Sequence, residues 1–135
     1  MPIEWQEELA TGIEHIDSQH KEIFARFAAF SSACTTGCAQ EELTNLIDFL
    51  ERYTRDHFSD EETSMREAGY PGLPIQQENH AEFLDDIAGL KRKIVDKEPD
   101  MAEILEVKRL LIRWLIHHIK HLDMSFADFL KASNE

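Results

Sequence analysis

No stretch of this chain approaches the roughly 20 consecutive apolar residues of a membrane-spanning helix; the run Leu110, Leu111, Ile112 is cut by Arg113. Nor does Met1 to Leu9 read as a secretory leader, because Glu4, Glu7 and Glu8 stand where basic residues and an apolar segment belong. The expected location is therefore the cytoplasm. Basic residues are scarce: 14 against 27 acidic ones leave a formal charge of -13, which repels phosphate backbones and anionic lipid. Neither nucleic acid nor a membrane surface is an expected partner, and the acidity itself reads as solvated helix faces. Cysteine is limited to Cys34 and Cys38, separated by Thr35, Thr36 and Gly37 in a segment that looks like a connection. In a reducing compartment that pair reads as two unbonded thiols rather than a disulfide. A glycine-rich phosphate loop, a triad-type nucleophile, internal repeats and low-complexity tracts are also missing.

What remains suits one soluble globular domain: 135 residues, 42% hydrophobic and 30% charged, enough for one sizeable core. We read residues 1–135 as a single domain with an N-terminal arm over 1–16. Strand-like alternation never persists, whereas apolar residues recur at spacings of three and four, so the expected class is all-α. The first helix is expected to start at Asp17, as a cap, to bury Ile23, Phe24, Phe27 and Phe30, and to fade near Ala33. A second is expected from Ala39 to Ala68, with Leu43, Leu46, Ile47, Leu50, Tyr53 and Phe58 inward and Gly69 then Pro71 as its stop. The third begins near Pro74, buries Phe83, Leu84, Ile87, Leu90 and Ile94, and ends before Pro99. Asp100 with Glu103 suggests a capping box for the fourth, which carries Ile104, Val107, Leu111, Trp114, Leu115, Leu122 and Phe129. Short connections make neighbours antiparallel, giving an up-down-up-down four-helix bundle.

Each of these helices places a metal-capable residue on its apolar stripe, where an unpaired polar group would cost a few kcal/mol. His20 precedes Ile23, Phe24 and Phe27; His57 and Glu61 continue the stripe of the second helix; Gln76 and His80 precede Phe83, Leu84 and Ile87; His118 lies between Trp114 and Leu122, with Asp123 beyond. The four-residue steps from His57 to Glu61 and from Gln76 to His80 put two side chains on one face. A lone histidine on such a face is usually a hydrogen-bonded core residue, but four helices doing the same point to a metal site. Imidazoles with carboxylates suit iron, zinc, copper or manganese, and the lack of cysteine on the stripe disfavours a thiolate zinc site. An iron pair is preferred, because Glu61 and Asp123 could bridge two ions. The five residues from His118 to Asp123 turn a regular helix by about 140° beyond a full turn, so a local widening is expected between them. His15 and His117 are expected near solvent. His121 is expected at the surface too, with orientation of His118 as the alternative.

These residues also stand in a recognisable order. Ile3, Glu4 and Trp5 in the arm, GIEHIDSQHK over 12–21, HFSDEE over 57–62, Tyr70 with Pro71, HAEF over 80–83, and WLIHH over 114–118 with Asp123 together resemble the hemerythrin family, and within it the stand-alone bacteriohemerythrins. The resemblance implies a non-haem diiron protein with an oxo- or hydroxo-bridged iron pair that binds dioxygen for storage, delivery or sensing. It implies His20 and His57 as ligands of one iron, His80 and His118 as ligands of the other, Glu61 and Asp123 as bridges, and dioxygen uptake on the His20 and His57 side. The family pattern has a histidine where this chain has Gln76, whose neutral amide oxygen is a poorer donor, so Gln76 either ligates weakly or leaves an open position.

The leading reading is a non-enzymatic oxygen binder. The alternative is a diiron oxidase- or peroxidase-like protein, or a single-metal one, which the altered ligand at Gln76 keeps open. Ferritin-like diiron proteins use Glu-x-x-His pairs, and none of the seven histidines here has Glu three residues before it. A third reading, a metal-responsive interaction module, requires an output partner that the sequence does not name. An electron-transfer or acceptor protein would be an unidentified partner of a monomer or weak oligomer.

Overall fold

The computed structural model describes residues 5–35, 39–96 and 99–133, excepting the side chains at 34, 35, 39, 95 and 96. The expectation for Cys34 and Cys38 therefore lies outside the described side chains. After a 3₁₀ turn at Glu7–Leu9 come α1 (Glu14–Thr35), α2 (Ala39–Glu67), α3 (Leu73–Asp96) and α4 (Met101–His117). The last rod continues through a π-helical turn, His118–Asp123, into α5 (Met124–Ser133). The expected all-α bundle is what forms, and the widening between His118 and Asp123 is the π turn.

One boundary differs from expectation. The first helix begins at Glu14, three residues before Asp17, so Asp17 is not its cap. Instead its carboxylate accepts hydrogen bonds from Thr11 N (2.8 Å), Thr11 Oγ1 (2.8 Å) and Gly12 N (3.1 Å). Gly12 has φ +85°, a left-handed value that glycine tolerates without steric cost. Asp17 thus buckles the arm to the helix and holds Leu9 and Thr11 in buried positions. The stop of α2 follows the expected chemistry: Gly69 has φ +67°, and Tyr70 N donates to Met65 O at 2.9 Å, closing a Schellman-type end. At the start of α4, Glu103 N donates to Asp100 Oδ1 (2.8 Å) and Asp100 N donates to Glu103 Oε1 (3.3 Å), the reciprocal capping box.

Cross-helix contacts fix the antiparallel order. Gln19 meets Asp60 while His15 meets Ser64; Glu62 meets His80 while Glu51 meets Lys91; Gln76 meets Asp123 while Phe83 stacks on Trp114. The apolar faces divide into two layers. A large core joins Ile23, Phe24, Phe27, Phe30, Leu43, Leu50, Ile87, Ile104 and Leu111, with Trp5 of the arm packed against it. A smaller cluster of Ile16, Met65 and Phe126, flanked by Tyr70 and Phe129, closes the other end. All seven metal-capable residues of the stripes are buried.

The core makes a direct stability forecast. Ile87 is 0% exposed, so Ile87→Ala should destabilise the protein by about 2–5 kcal/mol. Ile75→Ala, at a position 62% exposed, should stay within about 0.5 kcal/mol. Urea unfolding of the two variants measures the difference, and equal effects would contradict this core.

Candidate metal centre

Helical periodicity delivers one residue or a pair from every rod to the same level. Its histidines and carboxylates form two sets whose potential donor atoms lie within 4.8 Å of one another: His20, His57, Glu61 and Asp123 in one, Glu61, His80 and His118 in the other. Glu61 belongs to both. Asp123 reaches both sides as well, with Oδ2 3.1 Å from His20 Nε2 and Oδ1 3.2 Å from His118 Nε2. The π turn makes this reach available, because a wider turn brings residues five apart onto one face.

Glu61 Oε1 lies 3.0 Å from His57 Nε2, 3.6 Å from His80 Nε2 and 3.9 Å from His118 Nε2. Short as some of these separations are, His20 Nε2, His57 Nε2, both Glu61 oxygens, Asp123 Oδ2 and Gln76 Oε1 are buried without a hydrogen-bond partner among the described residues. Proximity without bonding geometry is costly for buried polar atoms. Cations between them would satisfy those atoms, and the donor set, imidazole nitrogen with carboxylate oxygen, suits iron. The residues present therefore fit a metal pair.

Gln76 is placed with the others, 1% exposed, its Nε2 donating to Asp123 Oδ1 at 3.2 Å. His15 and His117 face solvent as expected, and His121 is exposed as well. His121 pairs with the ring of His117 rather than with His118.

The orienting groups were not singled out from the sequence. His57 Nδ1 bonds Gln19 Oε1 at 2.6 Å, His80 Nδ1 bonds Glu62 Oε2 at 2.8 Å, and His118 Nδ1 bonds Asn79 Oδ1 at 2.7 Å. Each acceptor sits beside a site residue of its own helix and holds the histidine of the next helix. Fixing Nδ1–H in this way turns Nε2 inward as the free donor and raises its basicity. The adjacency of Gln19, Glu62 and Asn79 to His20, Glu61 and His80 was the available signal, but only the packing angle reveals which partner each meets. Aromatic rings complete the walls: Phe58 stacks on His80 at 3.9 Å, Trp114 on His118 at 4.8 Å, and Trp5 lies 6.4 Å from His20. A surface groove of about 340 Å³ between α2 and α3, lined in part by Arg55, Arg66 and Gln77, reaches the outer side of Glu62 and His80.

Charge is unevenly distributed among these buried groups. Burial lowers the pKa of His118, but the Asp123 and Glu61 carboxylates outweigh it and raise it to about 10. Burial raises Asp123, yet the charges of His118 and His20 close beside it hold it well below the ordinary carboxylate value. Burial and Asp123 push Glu61 upward, but His57 and His118 leave it lowered overall. His80 is lowered by burial, against the pull of Glu61 and Glu62.

Comparison with known proteins agrees with this geometry. The family model described as Hemerythrin HHE cation binding domain matches residues 11–130. A bacteriohemerythrin from Stenotrophomonas maltophilia is 34% identical over 95% of this chain and 81% of its own length. A myohemerythrin from Theromyzon tessulatum is 27% identical over 93% and 91%. The crystal structure of a hemerythrin point mutant superposes with a TM-score of 0.80 at 26% identity, covering 93% of this chain and 95% of that one.

Two pH effects follow. In the metal-free protein His118 is raised to about 10 and is an imidazolium at neutral pH, so metal loading at pH 7 should release about one proton from it. Calorimetry in two buffers of different ionisation enthalpy counts that proton, and no buffer dependence would contradict the assignment. The stabilising contribution of the raised His118 is complete below its unfolded value near 6.5 and disappears as pH rises towards 10. That of the lowered Asp123 is present above about 3.8 and fades as pH falls through its lower folded value. Metal-free stability should therefore decline on both flanks, as urea midpoints measured across pH would record.

Proposed function

Because this chain belongs to the hemerythrin family, we propose that it is a non-haem diiron protein that binds dioxygen reversibly, serving oxygen storage, delivery or sensing. The single observation that carries this reading is the pair of donor sets sharing Glu61, with one oxygen of Asp123 beside His20 and the other beside His118. His20 and His57 would hold one iron, His80 and His118 the other, and Glu61 and Asp123 would span the two. An iron pair, when bound, supplies a redox-active centre to which dioxygen can attach and from which it can leave.

The protein's own contribution is to hold, orient and exclude. Gln19, Glu62 and Asn79 keep three imidazoles turned inward. Two carboxylates offset the charge of adjacent cations at a place where little water reaches them. Leu115 and Ile119, buried in the large core with Phe58, restrict access of water and protons, the means by which an apolar shell protects a metal from irreversible oxidation. Gln76 steadies Asp123 through its Nε2, and its Oε1, without a hydrogen-bond partner among the described residues, would be available as a neutral donor to an ion held by His80 and His118.

The family relationship does not favour the oxidase- or peroxidase-like alternative. Among the described residues no helix is long and apolar enough to cross a membrane. We place the protein in the cytoplasm as a single domain, a monomer or weak oligomer, with dioxygen as its ligand and any electron donor a separate protein.

The test is iron stoichiometry together with the visible spectrum of the reduced protein before and after exposure to air. Two irons per chain, with an absorption band that appears in air and vanishes on deoxygenation, is the expected result. One iron, or a one-way change to a ferric spectrum, would overturn reversible binding. Glu61→Ala should lose both irons, because it removes the donor common to the two sets. Gln76→His should slow iron release to a chelator by roughly tenfold, the scale on which ligand-shell changes act; unchanged release would mean that Gln76 contributes nothing to holding metal.

A further inference from the structure

The π turn that aims His118 and Asp123 inward also arranges the outer face of the same rod. His117 and His121, four residues apart, are both exposed. Their ring centroids lie 4.5 Å apart with the planes inclined at 44°. Among the described residues neither ring takes part in a hydrogen bond or an ion pair. We propose that His117 and His121 form a second, solvent-facing metal site, a two-imidazole clip for a late divalent transition-metal ion, with Cu²⁺ held most tightly.

Two histidines one turn apart on a single helix face are an established way of presenting two nitrogens to one ion. Imidazole prefers copper, nickel and zinc over calcium or magnesium, and the divalent series places Cu²⁺ highest. Water completes the coordination, since both rings face solvent. The overall charge of -13 adds long-range attraction for cations. The clip is distinct from the buried centre: His118 and Asp123, which belong to that centre, are 1% exposed on the inward side of the rod. His117 and His121 differ from His15, the remaining exposed histidine, in having a second imidazole within chelating reach. Among the described residues the His15 ring meets the Ser64 hydroxyl alone, at 3.4 Å.

The experiment titrates Cu²⁺ into the full, oxidised, iron-loaded protein, reading binding by calorimetry and nitrogen coordination by electron paramagnetic resonance. Iron content is measured before and after. The expected result is tight uptake of one Cu²⁺ with a two-nitrogen signature and no loss of iron. His117→Ala and His121→Ala should each weaken it by roughly tenfold or more, and the double variant should be no worse than either single one, because one remaining ring cannot chelate. His15→Ala should leave it unchanged. Both clip residues are exposed, so the variants should fold, and circular dichroism with unchanged iron content checks that they do. Copper affinity indifferent to both substitutions, or copper uptake matched by iron release, would overturn the proposal.

Discussion

Two carboxylates buried among imidazoles are the constraint on which this structure turns. Glu61 and Asp123 are fully enclosed, and so are His20, His57, His80 and His118. Unpaired ionised groups in such surroundings carry a penalty that no nearby apolar packing repays. The protein answers with geometry. The carboxylates stand between the rings, the rings are tethered from behind, and the assembly is left with unpartnered atoms that a pair of cations would satisfy. The stability of the bundle's centre and its chemistry are consequently the same problem.

The tethering follows a simple rule around the bundle. Gln19 on α1 holds His57 on α2, Glu62 on α2 holds His80 on α3, and Asn79 on α3 holds His118 on the fourth rod. Each tether neighbours a site residue of its own helix, so rotating any helix about its axis would displace both that residue and the one it supports. Among the described residues His20 lacks such a tether, and its Nδ1 has no hydrogen-bond partner. Its ring is placed instead by Asp123 at 3.1 Å and by the rings of His57 and Trp5. The arm that brings Trp5 to this position is itself fastened by Asp17 through Thr11 and Gly12. A residue that looks like a helix cap in sequence thus contributes to one wall of the site.

The two apolar layers divide the remaining work. The larger core fixes helix spacing, while the Ile16, Met65 and Phe126 cluster closes the opposite end. Between them the polar layer is kept from bulk water, which strengthens each electrostatic interaction within it. The π turn is the one departure from regular helix that this layer requires. It adds the angular reach by which Asp123 joins His118, and α5 continues beyond it to supply Phe126.

The sequence by itself determined the helices, their stops and the residues that share a stripe, because periodicity, capping and glycine conformation act over a few neighbouring residues. It also determined that His118 and Asp123 need a widened turn, since their spacing conflicts with regular helical pitch. The inward placement of His20, His57, Glu61, His80 and His118 was legible for the same reason, since spacing along a helix fixes direction in space, while their family-like order was legible from the resemblance of the motifs. Only the tertiary structure decided what lies across a helix interface. It assigned Gln19, Glu62 and Asn79 their partners, gave Asp17 to the arm, gave Asp123 one oxygen for each side, and turned His121 towards His117. Those outcomes depend on the packing angle and register of separate helices, and no local pattern in the chain encodes them.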